Sequence, residues 1–182
     1  KANNTTNILG WPNITFIDIG CGAGAGSVAL LALLENYQHF LVNNNKPISP
    51  IEVLLVGVDP GSKILHLYSR VVGEYATSLN SSLIRVQQET CDRAFPQAAS
   101  RLVQRFKPTN SHFVLLGMSN VIRPLDNAFN EGRTLIGEQL RCYVDGEDFQ
   151  NFGFGVAEAN ALQRMLQGWN LDRLGLLSVV TR

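Results

Sequence analysis

Four glycines at alternate positions form the segment of this sequence best suited to hold a ligand: Gly20, Gly22, Gly24 and Gly26. They follow a β-branched apolar run and precede an apolar segment of helical length, so the pattern predicts a strand, a loop and a helix in succession. Glycine lacks the Cβ atom that would block a close ligand, and it adopts positive φ readily. The helix start adds unpaired backbone N–H groups and a positive dipole end. Together these features predict a nucleotide site.

Two carboxylates lie where they could serve such a site. Asp18 comes two residues before the first glycine, and Asp59 follows the second apolar run. A carboxylate at the end of a strand can accept hydrogen bonds from both ribose hydroxyls of a nucleoside, and a charged acceptor strengthens such bonds. It can also cap the helix that follows. The sequence leaves both roles of Asp59 open.

The other chemically versatile residues are scattered. Cys21, Cys91 and Cys142 lie far apart, with no Cys-x-x-Cys pair and no histidine at ligand spacing. This spacing argues against a disulfide framework and against a metal site. His39 and His66 have no carboxylate partner at helical spacing, so no catalytic triad is predicted.

Apolar runs alternate with helical stripes along the chain, separated by turn-forming residues. The predicted strands are 14–19, 51–58, 83–86, 112–117, 140–144 and 174–180. The predicted helices are 27–42, 61–75, one that opens at Pro96, 126–138 and 156–167. Strands that alternate with helices indicate an α/β fold, a mainly parallel sheet with helices on both faces. Ligands of such sheets bind beyond the carboxyl ends of the strands.

Length and composition favour a single domain. The chain has 182 residues, of which 45% are hydrophobic, enough for one sizeable core. We assign residues 1–13 to a loose lead-in and 14–182 to one domain. Residues 43–50 combine asparagines with two prolines and are predicted to be a surface insertion. Because the sequence opens with Lys1 rather than Met, we expect further residues before it in the full-length protein.

Charge and hydropathy exclude several classes of partner. Fifteen Lys and Arg balance fifteen Asp and Glu, so no global basic field for nucleic acid is expected, and only a local basic patch remains open. No apolar run approaches the roughly 20 residues of a membrane span, and the start lacks the layout of a signal peptide. We therefore expect a soluble cytoplasmic protein without a membrane partner.

The glycine loop and its preceding acid resemble the first motif of the class I S-adenosylmethionine-dependent methyltransferases, here Asp18-Ile19-Gly20-Cys21-Gly22-Ala23-Gly24. The dinucleotide pattern Gly-x-Gly-x-x-Gly fits less well, since its third glycine falls on Ala25 or Ser27. The segment Gly57-Val58-Asp59-Pro60 resembles the family's second signature. Its distance from the loop exceeds the usual spacing, and the insertion at 43–50 accounts for the excess.

The resemblance extends past the third and fourth predicted strands. Asp92, in Glu89-Thr90-Cys91-Asp92, occupies the place of the family's acid near the adenine amino group, and it could equally cap a helix. Residues 115–122 resemble the segment that lines the methyl-transfer site, although the family's Asn/Asp-Pro-Pro-Tyr/Phe and Pro-Cys motifs are absent. Substrate-side candidates there are Ser119, Asn120 as a polar positioner and Arg123 as a clamp for an anionic group. Asn120 could instead satisfy the loop backbone, and Arg123 could face solvent.

The resemblance implies a three-layer Rossmann-like domain whose last strand is antiparallel, with S-adenosylmethionine as cofactor. The implied cofactor-binding residues are Asp18, Gly20, Cys21, Gly22, Gly24, Asp59, Pro60, Cys91, Asp92 and Met118. The implied function is methyl transfer, and the neutral charge favours a small-molecule or protein acceptor over RNA. One alternative is a non-catalytic methyltransferase-like subunit or assembly factor. Another is an NAD(P)-dependent oxidoreductase.

Overall fold

The computed structural model describes residues 11–93, 95–106, 112–119 and 174–179. Within these ranges strands and helices alternate, and the five strands form one sheet in the order β3-β2-β1-β4-β5. Every pair of neighbouring strands is parallel. The predicted α/β class is therefore confirmed. The elements are β1 (Asn13–Ile19), α1 (Ala25–Asn43), β2 (Ile51–Val58), α2 (Ser62–Ser78), β3 (Ile84–Cys91), α3 (Phe95–Arg105), β4 (His112–Ser119) and β5 (Leu174–Val179).

Helices cover both faces of the sheet. Successive residues of a strand point to opposite faces, and two neighbours on β3 contact different helices. Gln88 donates from its side chain to the carbonyl of Ser69 on α2, whereas Glu89 pairs with Arg105 of α3. The helix α1 shares the face of α2, where the two helices and the central strands bury one apolar cluster. Fully buried members of this cluster include Phe16, Leu31, Leu34, Leu55, Tyr68 and Val72.

The direction of the last described strand overturns one expectation. β5 pairs with β4 in parallel register, with Val114 opposite Leu174 and Ser119 opposite Val179, so the expected antiparallel last strand is wrong. A nearly continuous apolar run, such as the one at 174–180, is itself typical of a parallel strand that is buried on both faces. The expected direction came from the family resemblance alone.

Two strands run further than their sequence pattern predicts. β3 was expected to end at residue 86 but continues to Cys91, paired with β2 along its whole length. It lies at the end of the described sheet, and its residues Gln87 and Gln88 are exposed. Their polar side chains do not fit the apolar pattern of a buried strand, so the sequence does not predict this part of β3, which backbone pairing with β2 maintains. β4 likewise continues to Ser119 rather than ending at residue 117.

Several predictions fall elsewhere in the chain. The predicted helices at 126–138 and 156–167 and the strand at 140–144 lie outside the described residues, as do Asn120, Arg123 and Cys142. Residues 44–50 join α1 to β2 and are largely exposed. Among the described helices, none combines the length and apolar character needed to cross a membrane.

Candidate functional site at the carboxyl edge of the sheet

The carboxyl ends of four strands meet in one row. Ile19 lies opposite Val58 of β2 and Met118 of β4, and Val58 lies opposite Cys91 of β3. The residues that follow these positions therefore share one edge of the sheet, as expected for a parallel α/β fold. This edge carries the glycine loop (residues 20–24), the turn of residues 59–61 (the Asp59 turn) and Asp92.

The glycine loop depends on left-handed backbone. Gly20, Gly22 and Gly24 have φ of 70°, 52° and 91°, values that favour glycine over other residues. The amide of Gly20 donates to the carbonyl of Val58 over 2.8 Å, which ties the loop to β2. A Cβ at Gly22 would meet no atom within 4 Å. The loop thus leaves open space above its centre.

The buried carboxylate of Asp18 supports this loop from below. Asp18 lies opposite Gly57 of β2 and Gly117 of β4 and is only 1% exposed. Ser27, in the first turn of α1, donates its hydroxyl to Asp18 Oδ2 over 3.3 Å. Burial raises the pKa of Asp18 to about 6, opposed by hydrogen bonds from the hydroxyl and backbone N–H of Ser27. With so little exposure, Asp18 anchors the start of α1 and presents almost no surface to a ligand.

Tyr68 of α2 extends this polar group. Its hydroxyl lies 2.9 Å from Ser27 Oγ, and its side chain is completely buried. A Cβ at Gly57 would lie 2.7 Å from the Tyr68 ring, so this strand glycine makes room for the aromatic side chain. Burial raises the pKa of Tyr68, and the nearby Asp18 charge adds to that rise. The phenol therefore stays neutral and can donate.

The Asp59 turn joins β2 to α2. Asp59 Oδ1 accepts a hydrogen bond from the amide of Gly61 over 2.8 Å, a contact that closes the turn. The N-cap of α2 is Gly61, and no side-chain hydrogen bond caps this helix, so the alternative of a helix-capping Asp59 is wrong. The other carboxylate oxygen has no hydrogen-bond partner among the described residues, and Asp59 is partly exposed. The hydrogen bond within the turn therefore occupies one oxygen and leaves the second for a ligand. Pro60 is exposed beside it.

The cysteines at this edge are buried thiols. Cys21 and Cys91 are 5% and 4% exposed, and neither forms a disulfide within the described ranges. Burial raises the pKa of Cys21 to about 12, and the charges of Asp18 and Asp59 add to the rise. A thiol with such a pKa is a poor nucleophile at neutral pH. Where the structure describes the chain, no three His, Cys, Asp or Glu residues are grouped as a metal site requires.

The remaining predicted residues lie further along the same edge. Asp92 is exposed at the end of β3 and borders an open cleft of about 320 Å³ between β3 and α2. Met118 and Ser119 are the last two residues of β4. His112 lies at the opposite end of β4, away from the site, where its Nε2 is 2.6 Å from Thr15 Oγ1.

Sequence reasoning missed Ser27 and the hydroxyl of Tyr68. Tyr68 lies in the helix predicted at 61–75, whose apolar stripe predicts core packing, and Ser27 occupies a position where the dinucleotide pattern requires glycine. One signal points to Tyr68: Gly57 interrupts an apolar run, and a glycine inside a strand indicates that another group approaches closely. Gly117 interrupts β4 in the same way but makes room for Phe16. A Cβ at Gly117 would lie 2.5 Å from the Phe16 ring.

Comparison with known proteins adds no assignment to this geometry. The chain matches no protein-family model and no curated protein.

Proposed function

We propose that this protein binds S-adenosylmethionine at the carboxyl edge and transfers its methyl group to an acceptor, for which a small molecule or a protein is favoured over RNA. One observation carries the proposal: the open space above Gly22 is in the turn after β1, and the neighbouring strand β2 leads into a turn whose carboxylate, Asp59, keeps one oxygen available. A nucleoside with a short charged tail needs these two features side by side. The glycine loop suits the tail, and the carboxylate suits the ribose.

The described residues fit the chemical parts of this cofactor. No hydrogen bond joins the Gly22 amide to another described residue, so this donor is available to the carboxylate of the methionine part. Asp59 would accept from the ribose hydroxyls, and Asp92, Cys91 and Met118 would surround the adenine. S-adenosylmethionine supplies an electrophilic methyl group on a sulfonium. Transfer is an in-line displacement that depends mainly on alignment of the acceptor, a task for Ser119, Asn120 and Arg123.

The strand order alone also suits a dinucleotide, since Rossmann domains share the order β3-β2-β1-β4-β5. The loop itself favours S-adenosylmethionine. In the two possible registers of Gly-x-Gly-x-x-Gly the third glycine is replaced by Ala25 or Ser27, and the latter is bonded to Asp18. Gly26, whose Cβ would lie 3.1 Å from Asp18, makes the close helix-to-strand approach one residue away from either register.

Calorimetric titration tests the binding step. The protein should bind S-adenosylmethionine and S-adenosylhomocysteine but not NADH. Binding of NADH without binding of either adenosyl compound would overturn the proposal in favour of an oxidoreductase. Transfer is tested separately with radiolabelled S-adenosylmethionine and cell extract. Binding without transfer of label would favour the non-catalytic subunit.

A matched pair of variants tests the role of Asp59. Asp59→Asn keeps an oxygen that can accept the hydrogen bond from the Gly61 amide but removes the charge, whereas Asp59→Ala removes both. Both should weaken S-adenosylhomocysteine binding by about 1.5–3 kcal/mol, the value of a hydrogen bond to a charged group. Only the alanine variant should also lose stability from the broken turn. Glu74→Gln, an exposed change on α2, is the control, and unchanged affinity in Asp59→Asn would show that the ribose assignment is wrong.

A further inference from the structure

Tyr68 packs beneath the candidate site, against the end of the glycine loop and against the strand that leads into the Asp59 turn. Its ring lies over Gly57, two residues before Asp59, and against Gly24 at the end of the glycine loop, where a Cβ would be 3.1 Å from the ring. Its own helix, α2, begins directly after the Asp59 turn. A displacement of Tyr68 would therefore move one turn relative to the other.

The hydroxyl of Tyr68 is part of a directed hydrogen-bond chain. Ser27 has a single hydroxyl proton, which it donates to Asp18. Tyr68 must then be the donor to Ser27 across their 2.9 Å contact. All three side chains are at most 1% exposed. Because these three side chains are shielded from water, each hydrogen bond between them restrains its donor and acceptor more strongly than a surface hydrogen bond would.

Packing alone does not require this hydroxyl. A phenylalanine would fill the same space above Gly57, and a buried hydroxyl costs free energy unless it is bonded. What the hydroxyl adds is a link between α2, which carries the Asp59 turn, and the first turn of α1, which carries the glycine loop.

We propose that Tyr68 is a positioning residue, whose hydroxyl acts through Ser27 to hold the glycine loop and the Asp59 turn at the separation that an adenosine cofactor requires. The ligand in this statement rests on the proposed function, whereas the restraint itself does not. The restraint also depends on the ionisation of Asp18, which faces Cys21 and Tyr68 and whose pKa is raised to about 6 by burial. A protonated Asp18 can donate its own proton to Ser27, and Ser27 can then donate to the Tyr68 hydroxyl. The donor directions of these hydrogen bonds are then reversed, which leaves the proton of Tyr68 without an acceptor.

Hydrogen exchange of the free protein tests the restraint without any ligand. In Tyr68→Phe, the amides of residues 20–28 should exchange about fivefold faster at pH 7, the change expected for loss of one buried hydrogen bond. Ser27→Ala should give a similar increase, and the double variant should add little, since both changes break the same link. Tyr75→Phe removes a hydroxyl about two helical turns further along α2 and should leave the exchange rates of these amides unchanged. Unchanged exchange in Tyr68→Phe would overturn the proposal.

Affinity for S-adenosylhomocysteine provides the second measurement. Tyr68→Phe should bind it several-fold more weakly than the parent protein at pH 7, and the ratio should shrink towards pH 5.5 as Asp18 becomes protonated. A ratio that does not change with pH would mean that Tyr68 has a structural role only and would overturn the proposal. If the parent protein binds neither adenosyl compound, the proposed function fails, while the exchange experiment still decides whether Tyr68 holds the two turns.

Discussion

The turns after β1 and β2 both lead from a parallel strand into a helix, yet they are built in opposite ways. The glycine loop uses three residues with positive φ and is supported by buried side chains of Asp18 and Ser27. The Asp59 turn needs no positive φ, since Gly61 has a φ of −90°. It is held by a hydrogen bond from the Gly61 amide to a partly exposed carboxylate and by one from the Asp59 amide to the carbonyl of Cys91.

The two turns therefore differ in what they offer a ligand: the glycine loop offers a fixed backbone shape, and the Asp59 turn offers a negative charge. The glycine loop has a fixed form because its supporting groups cannot move without disturbing the core. The Asp59 turn supplies a charge whose side chain can adjust at the protein surface. A ligand that is held by both turns would meet a rigid cradle at one end and an adaptable acceptor at the other. The comparison predicts that equal substitutions have unequal effects in the two turns.

Alanine at Gly24 and at Gly61 should give the largest contrast. A Cβ at Gly24 would lie 2.6 Å from Val72 Cγ2, in a residue with a φ of 91°. Overpacking and left-handed strain together should lower the unfolding free energy by roughly 3 kcal/mol. At Gly61 the nearest atom would be Asp59 Oδ1 at 3.1 Å, on a partly exposed side chain, and the φ of Gly61 is negative, so the loss should stay below about 1 kcal/mol.

Urea unfolding followed by circular dichroism measures both variants under the same conditions. Equal losses of stability in Gly24→Ala and Gly61→Ala would contradict the division between a rigid and an adaptable turn.

Replacement of Asp18 by asparagine should give the next largest effect, and it should depend on pH. The pKa of Asp18 is raised from 3.8 to about 6, chiefly by burial. Folding therefore favours the protonated acid: its contribution to stability is complete below about pH 4 and is lost as the pH rises towards 6. Relative to Asp18→Asn, the parent protein should lose on the order of 2–3 kcal/mol between pH 4 and pH 7.

Unfolding free energies at several pH values test this sign. The exposed Asp92, changed to asparagine, is the control and should alter stability by little at either pH. A stability difference between the parent protein and Asp18→Asn that stays constant from pH 4 to pH 7 would show that burial does not perturb this carboxyl.

The two turns also differ in how far the sequence predicts them. Alternating glycines and the acid after β2 place both turns at one edge, because the carboxyl ends of parallel strands meet there. The predicted bounds of β2, 51–58, agree with the structure. The polar residues of β3 did not predict a strand, since backbone pairing with β2 maintains it.

The support beneath the glycine loop could not be predicted in the same way. Strand alternation places Asp18 on the same buried face of β1 as Phe16, but it does not predict which side chains contact Asp18 there. The Ser27 hydroxyl meets Tyr68 from 41 positions away, and such a contact depends on how two helices pack. Local patterns thus predicted the elements of the site, whereas the restraint between them arises only in the folded protein.

Alanine at Gly22 should have the smallest effect on stability and the most selective effect on binding. Gly22 has a φ of 52°, so a side chain there costs about 1 kcal/mol in backbone strain. A Cβ would meet no protein atom within 4 Å, unlike the Cβ at Gly24. The added methyl group would instead enter the space assigned to the cofactor.

Gly22→Ala should therefore remain folded with a loss of about 1 kcal/mol while its affinity for S-adenosylhomocysteine falls at least tenfold, because a methyl group in the cradle excludes the ligand. Urea unfolding and calorimetric titration measure the two effects separately. Ala25→Ser, an exposed change at the first residue of α1, serves as the control and should alter neither the stability nor the affinity. Affinity lost only in proportion to stability would mean that the space above Gly22 is not where the ligand binds, and the rigid turn would then be a structural feature of the fold alone.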